Sequence, residues 1–244
     1  MTGKDAAPTT SRARWVEQIA ALDAPAAAVR KRREPLTVSR IVEAALAIVE
    51  AEGFPGVTMR RVASALGATP GALYAHVRDK SELDDLMVGR LCARVELPEP
   101  NAAMWQEQIL DVCRQLRDLY LQYPGISQAA LQAAPRSLDT LRINEGLLAI
   151  LIDIGVTPRT AGWATDALFL YIAAYSAVSL RRHSDGDEAA EAADREEVLE
   201  RFLMLPESRF PNTVTHAAEL TAGEGHDRFD FTVTMILGSV DPQH

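Results

Sequence analysis

Between Thr58 and Lys80 the chain gathers hydroxyls, bases and small side chains in one short run: Thr58, Arg60, Arg61, Thr69, Pro70, Gly71, Ala72, Tyr74, His76, Arg78 and Lys80. Bases and hydroxyls of these types hold phosphate oxygens, and small side chains permit close approach to the floor of a DNA groove. Ala72 or Pro70, facing outward from a short helix, could touch a thymine methyl. The chemistry in prospect is recognition of duplex DNA. It requires elements that hold these side chains outward while their neighbours pack.

Such elements are legible around the run. Thr37 or Ser39 caps a first helix with Ile41, Ala44, Ala45, Ile48 and Val49 on one stripe, ending at Gly53. Thr58 caps a second, Met59 to Leu66, with Val62, Ala65 and Leu66 inward and Gly67 as its left-handed stop. Thr69 caps a third with Pro70 at its first position and Leu73 and Val77 inward. Asp79 with Glu82 reads as a capping box for a fourth, striped by Leu83, Leu86, Met87, Arg90 and Leu91. Two short helices joined by a Gly-containing turn make a helix-turn-helix unit, and in that unit the second helix enters the major groove.

The pattern Thr58-x-Arg60-Arg61-Val62-Ala63-x-x-Leu66-Gly67-x-Thr69-x-Gly71-x-Leu73-Tyr74-x-His76-Val77-x-x-Lys80 resembles the DNA-binding domain of the TetR family of one-component bacterial repressors. The stretch Leu73 to Lys80 looks especially like the tetracycline-repressor branch, and the closing Phe229-Asp230-Phe231-Thr232 with Ile236-Leu237-Gly238 is similar to that branch's last helix. The resemblance implies that Arg60 reads a base, its fork suited to guanine O6 and N7. It places Thr58, Thr69, Tyr74, His76 and Lys80 at phosphates. It also implies a homodimer on a palindromic operator, with a helical C-terminal domain that takes a small-molecule effector. Arg61 and Arg78 are expected to be solvated charges.

The whole chain agrees with an all-α, two-part protein. Of 244 residues, 48% are hydrophobic but only 6% aromatic, a balance that favours helices over a β-sandwich. The net charge of −9 hides an asymmetry. Residues 30–94 hold eleven bases and eight acids, whereas residues 95–244 hold eleven bases and twenty-three acids. The expected divisions are a flexible extension over 1–34 with the basic arm Arg30–Arg33, the helix-turn-helix domain with its linking helix over 35–94, and an effector-binding and dimerisation domain over 95–244. Within the last, helices are expected over 105–123, 126–133, 137–154, 157–182, 196–205 and 229–240. Residues 183–194 and 206–225 are expected as loops.

The 161–180 stretch carries one charge, Asp166, in a run of membrane-compatible length. Its alanines, with Gly162 and Ser176, fit close helix packing instead, and no membrane partner is expected. In the family this helix and the last form the dimer's four-helix bundle. Candidate pocket residues are Met104, Trp105, Tyr120, Trp163, Phe169, Tyr171 and Tyr175, with Asn144 and Asp166 as polar anchors. Tyr123 lies near where the tetracycline repressor's ligating histidine would fall, and Leu170–Ser179 holds neither His nor carboxylate. No metal or other cofactor is therefore expected.

No phosphate loop, G-x-S-x-G or H-E-x-x-H occurs, so an enzyme is not expected. Two cysteines, Cys92 and Cys113, and an N-terminus without an apolar core fit a cytoplasmic location. The alternative function is a small-molecule-binding helical protein, or an enzyme using the C-terminal cavity, that does not bind DNA.

Overall fold

The computed structural model describes residues 35–132, 137–182, 188–223 and 226–240, and the basic arm Arg30–Arg33 lies outside them. Every regular element among these residues is helical. α1 (Val38–Glu52), α2 (Met59–Ala65), α3 (Pro70–Tyr74) and α4 (Lys80–Cys92) come first, with a single 3₁₀ turn, Phe54–Gly56, between α1 and α2. α5 (Trp105–Gln122), α6 (Ile126–Gln132), α7 (Leu138–Asp153) and α8 (Pro158–Arg182) form the larger body. α9 (Glu188–Leu203), α10 (Pro211–Thr215), α11 (Ala217–Thr221) and α12 (Asp227–Gly238) follow.

Capping fixes the first four helices. Thr37, Thr58 and Thr69 each accept a bond from the amide three residues on, those of Arg40, Arg61 and Ala72. Gly67, at φ 61°, turns the chain between α2 and α3, and the Ala68 amide closes onto the Ala63 carbonyl at 2.9 Å. Val62, Leu73, Val77, Leu83 and Met87 are fully buried beneath this turn. Ala63, not Ala65, is the inward alanine of α2. The capping box at Asp79 is half formed. Asp79 accepts the Glu82 amide at 2.8 Å, but the Glu82 carboxylate takes the Arg78 amide at 2.6 Å instead of that of Asp79. The bond donated by the Glu82 amide to Asp79 is also the main reason the Asp79 carboxyl lies below its ordinary range.

Two stretches expected as loops are helical. α9 begins at Glu188, inside the acidic 183–194 run, because Glu-Ala-Ala-Glu-Ala-Ala is a sequence of strong helix formers whose charge does not oppose helix. Pro211 occupies the first turn of α10, where its missing N–H costs nothing, and α11 follows after one residue. α3 ends at Tyr74, so Val77, expected on its inward face, lies three residues past the helix although it is fully buried, and the other helices fall within two residues of their expected ends.

α12 is clamped to α5 and α8. Arg114 of α5 pairs with Asp230 at 2.7 Å, and buried Arg117 lies over the Phe229 ring at 4.7 Å. The hydrogen bond to Asp230 raises the Arg114 pKa above its ordinary value, so the clamp stays charged. Tyr171 and Tyr175 of α8 pack on Phe229 with ring centroids 5.6 and 5.0 Å away. No helix among the described residues is long and apolar enough to cross a membrane.

Candidate nucleic-acid interface and effector cavity

Thr58, Arg60, Thr69, Pro70, Gly71 and Tyr74 are all exposed, on two helices joined by a four-residue turn; Ala72, His76 and Lys80 are half-buried. Tyr74 does not pack away beneath α1: half of it faces solvent. Since the Thr58 and Thr69 hydroxyls accept backbone bonds as caps, each keeps its own O–H to donate outward.

The arginines of this unit sort themselves by partner. Arg61 pairs with Glu52 at 2.5 Å, and Arg78 pairs with Asp79 at 3.0 Å. Both carry raised pKa values through the hydrogen bond to that carboxylate. Arg60 makes no ion pair among the described residues, so its planar fork is available to a ligand. Lys80 is less free: its ammonium contacts Asp84 and sits over the Phe54 ring at 4.2 Å. Burial raises the Asp84 pKa, against the pull of Lys80.

Beyond this unit a cavity of about 350 Å³ opens between α4, α5, α6, α7 and α8. Of the anticipated lining residues, Tyr120, Asn144, Asp166 and Phe169 are on its wall. Met104, Trp105, Trp163, Tyr171 and Tyr175 are elsewhere. Met104 precedes α5 on the surface, Trp105 packs on the core, and exposed Trp163 stacks with Arg159 at 4.4 Å. Tyr171 and Tyr175 face α12, where the Tyr175 hydroxyl and His226 Nδ1 are 2.9 Å apart. Val88, Ala130, Leu131, Thr140, Leu170 and Ala173 complete the wall without having been singled out. A sequence signal existed for part of it: Asp166, Phe169, Leu170 and Ala173 recur at i, i+3, i+4 and i+7, and Thr140 and Asn144 at i and i+4.

The cavity reaches α4 through a buried polar contact. The Thr140 hydroxyl donates to Cys92 Sγ at 3.7 Å, and the buried Tyr120 interacts with the same thiol. Burial pushes the Cys92 thiol up to about 11 and Tyr120 well above its ordinary value, so both stay neutral. Cys113, with burial the cause, is pushed up to about 12. Nearby, Arg142 donates to the Cys92 and Val95 carbonyls at 3.0 and 2.7 Å, gripping the end of α4. Gly89 lets α4 pass so close to α7 that an added Cβ would lie 2.6 Å from Ser137 Oγ.

A second connection leaves from α6. The Phe54 amide donates to the Pro124 carbonyl at 2.8 Å, and Gly125 at φ 87° lies where a Cβ would be 3.0 Å from Phe54 Cβ. The turn before α6 thus rests directly on the helix-turn-helix unit. On α8 and α12 an apolar strip faces outward, with Trp163 61%, Leu170 60%, Phe231 65% and Met235 58% exposed. Among the described residues no group of three His, Cys, Asp or Glu side chains could hold a metal ion.

Comparison with known proteins agrees in both halves. Residues 41–84 match the family described as bacterial regulatory proteins, tetR family, and residues 97–241 match the tetracyclin repressor-like C-terminal domain. The chain is 29% identical over 226 residues to the HTH-type transcriptional repressor DrrR1 of Streptomyces coeruleorubidus, covering 87% of this chain and 80% of that protein. The crystal structure of ActR from Streptomyces coelicolor in complex with actinorhodin is similar at a TM-score of 0.76 and 29% identity, over 84% of this chain and 96% of that one. BioQ bound to its double-stranded DNA operator shares the fold at a TM-score of 0.55 and 24% identity, over 78% of this chain and 100% of that one.

Proposed function

The chain belongs to the TetR family of bacterial regulatory proteins and is a DNA-binding transcriptional regulator, not an enzyme; from that premise we propose that it is a cytoplasmic repressor, binding a palindromic operator as a homodimer and released by a small molecule in the cavity. The observation that carries this is the pairing of a capped helix-turn-helix unit bearing unpaired Arg60 with a cavity joined to it at α4 and α6. Residues 35–94 serve as the reading domain with its linking helix, and residues 95–244 as the effector and dimerisation domain.

In this mechanism α3 enters the major groove and presents Pro70, Gly71 and Ala72 to the bases, while Arg60 on α2 reads a guanine edge. Thr58, Thr69, Tyr74, His76 and Lys80 hold phosphates and set the register. The outward strip of α8 and α12 meets the same strip of a second copy, which suits a twofold, self-complementary interface. Gly162 and Gly238, with no neighbour near a would-be Cβ, leave room for that approach.

An effector shifts the population between two arrangements in proportion to its differential affinity for them. A ligand that displaces Tyr120 or Thr140 moves Cys92 and α4, and one that pushes Leu131 moves α6 and its turn against Phe54. Either changes the distance between the two reading heads and lowers operator affinity. The relative ActR holds actinorhodin, which supports the cavity as an effector site.

The test is selection of bound duplexes from a random pool. An enriched palindrome whose affinity falls when a cavity ligand is added supports the proposal. No enrichment by a folded dimer overturns it and favours a ligand-binding protein without an operator.

A further inference from the structure

We infer that the effector is a flat apolar cation, such as a protonated aromatic amine, seated with its charge on Asp166 and its ring against Phe169. The inference rests on the proposed role of the cavity and adds the chemical class of what fills it. Apart from its hydroxyls, the wall offers two polar side chains among the described residues, Asn144 of α7 and Asp166 of α8. Neither makes a hydrogen bond or ion pair among the described residues. The Thr140 hydroxyl is already engaged at Cys92, and among the described residues no Lys, Arg or His lines the cavity.

Among the described residues, the arginines of α7 and of the first turn of α8 are committed elsewhere. Arg142 grips the carbonyls of Cys92 and Val95, and Arg159 lies over Trp163. A neutral ligand gains no charge-assisted bond from Asp166. An anion would meet an uncompensated carboxylate and the net negative charge of residues 95–244. A cation gains a charge-assisted bond at Asp166, which lies at the exposed rim, together with the Asn144 carbonyl. Phe169 and the aliphatic wall around it suit the apolar body, and about 350 Å³ falls in the range of small-molecule sites.

The experiment titrates the full-length protein calorimetrically with three tricycles of nearly one shape: aminoacridine, a cation at neutral pH; acridone, neutral; and acridine carboxylate, an anion. Aminoacridine is expected to bind about tenfold more tightly than acridone, with the carboxylate weakest. Asp166→Asn should erase the preference while leaving acridone binding in place, and Asp153→Asn, exposed on α7 away from the wall, should leave it intact. Asp166→Asn keeps the helix, because Asp166 supports no other group among the described residues.

Equal binding of cation and neutral ring, a preference that survives Asp166→Asn, or binding by none of the three overturns the inference. Duplex selection on the same preparation separates the two ideas. A protein that enriches an operator but prefers acridone loses only the charge assignment. One that enriches nothing yet shows an Asp166-dependent cation preference loses only the operator.

Discussion

In the helix-turn-helix unit the polar side chains Thr58, Thr69 and Asp79 each close a helix terminus three residues on, and Arg61 and Arg78 are tied to adjacent carboxylates. On the cavity wall Asn144 and Asp166 have no such partner among the described residues. Apart from Arg60, the first region satisfies itself and offers a finished surface to a rigid polymer. The other leaves polar groups to be completed by whatever enters. The reading head should therefore be sensitive to loss of packing, and the cavity to the chemistry of its ligand.

The largest expected effect separates the two regions physically. Leu73 is fully buried under α3, and Leu73→Ala should cost about 2–5 kcal/mol through the cavity it leaves. Operator binding should vanish at temperatures where the bundle, reported by the fluorescence of Trp105 and Trp163, is still folded. A single transition in which both signals disappear together would mean that α4 and α6 weld the halves into one unit.

Arg60→Ala probes the surface without disturbing the packing beneath it, because the side chain is exposed and supports no ion pair. It should cost about 1–3 kcal/mol of operator affinity and relax the preference at one base position. Competition binding across single-base operator variants measures both. A uniform loss across all variants would reassign Arg60 to a phosphate.

The turn between the reading helices offers a smaller perturbation. Gly67 sits at φ 61° with nothing near a would-be Cβ, so Gly67→Ala is opposed by backbone strain alone. The cost should be about 1 kcal/mol of stability, read as a lowered Tm of the reading unit, with operator specificity unchanged.

The first four helices were legible because their signals are local. A cap, a stop and an inward stripe all lie within about a dozen residues, as with Thr58, Gly67 and Val62. The acidic run before Arg195 carries a loop-like charge density, yet its alanines and glutamates both favour helix, and propensity decides. Pocket residues were harder for another reason. Trp163 and Asp166 are three residues apart on one helix, yet one stacks on Arg159 at the surface and the other meets the cavity. Which face of α8 meets α7 and which meets α12 depends on Asp230, Phe229 and Arg114, more than forty residues distant. The contact of Thr140 with Cys92 joins two helices and has no spacing in sequence that would reveal it.

Lys80 gives the subtlest test, since it belongs to both regions. It opens α4, the helix that carries the cavity's influence, and it stands at a position suited to a phosphate. Held by Asp84 and Phe54, it is partly neutralised before DNA arrives. If it contacts a phosphate, Lys80→Ala should weaken binding to all sequences alike and reduce the slope of log affinity against log salt by about one. Asp84→Asn should then act in the opposite direction, steepening that slope, because the freed ammonium releases a counterion more completely. If Lys80 instead serves only to fasten α4 to Phe54, neither substitution changes the salt slope. Lys80→Ala then weakens the response to effector instead, because motion of α4 no longer carries the reading head with it.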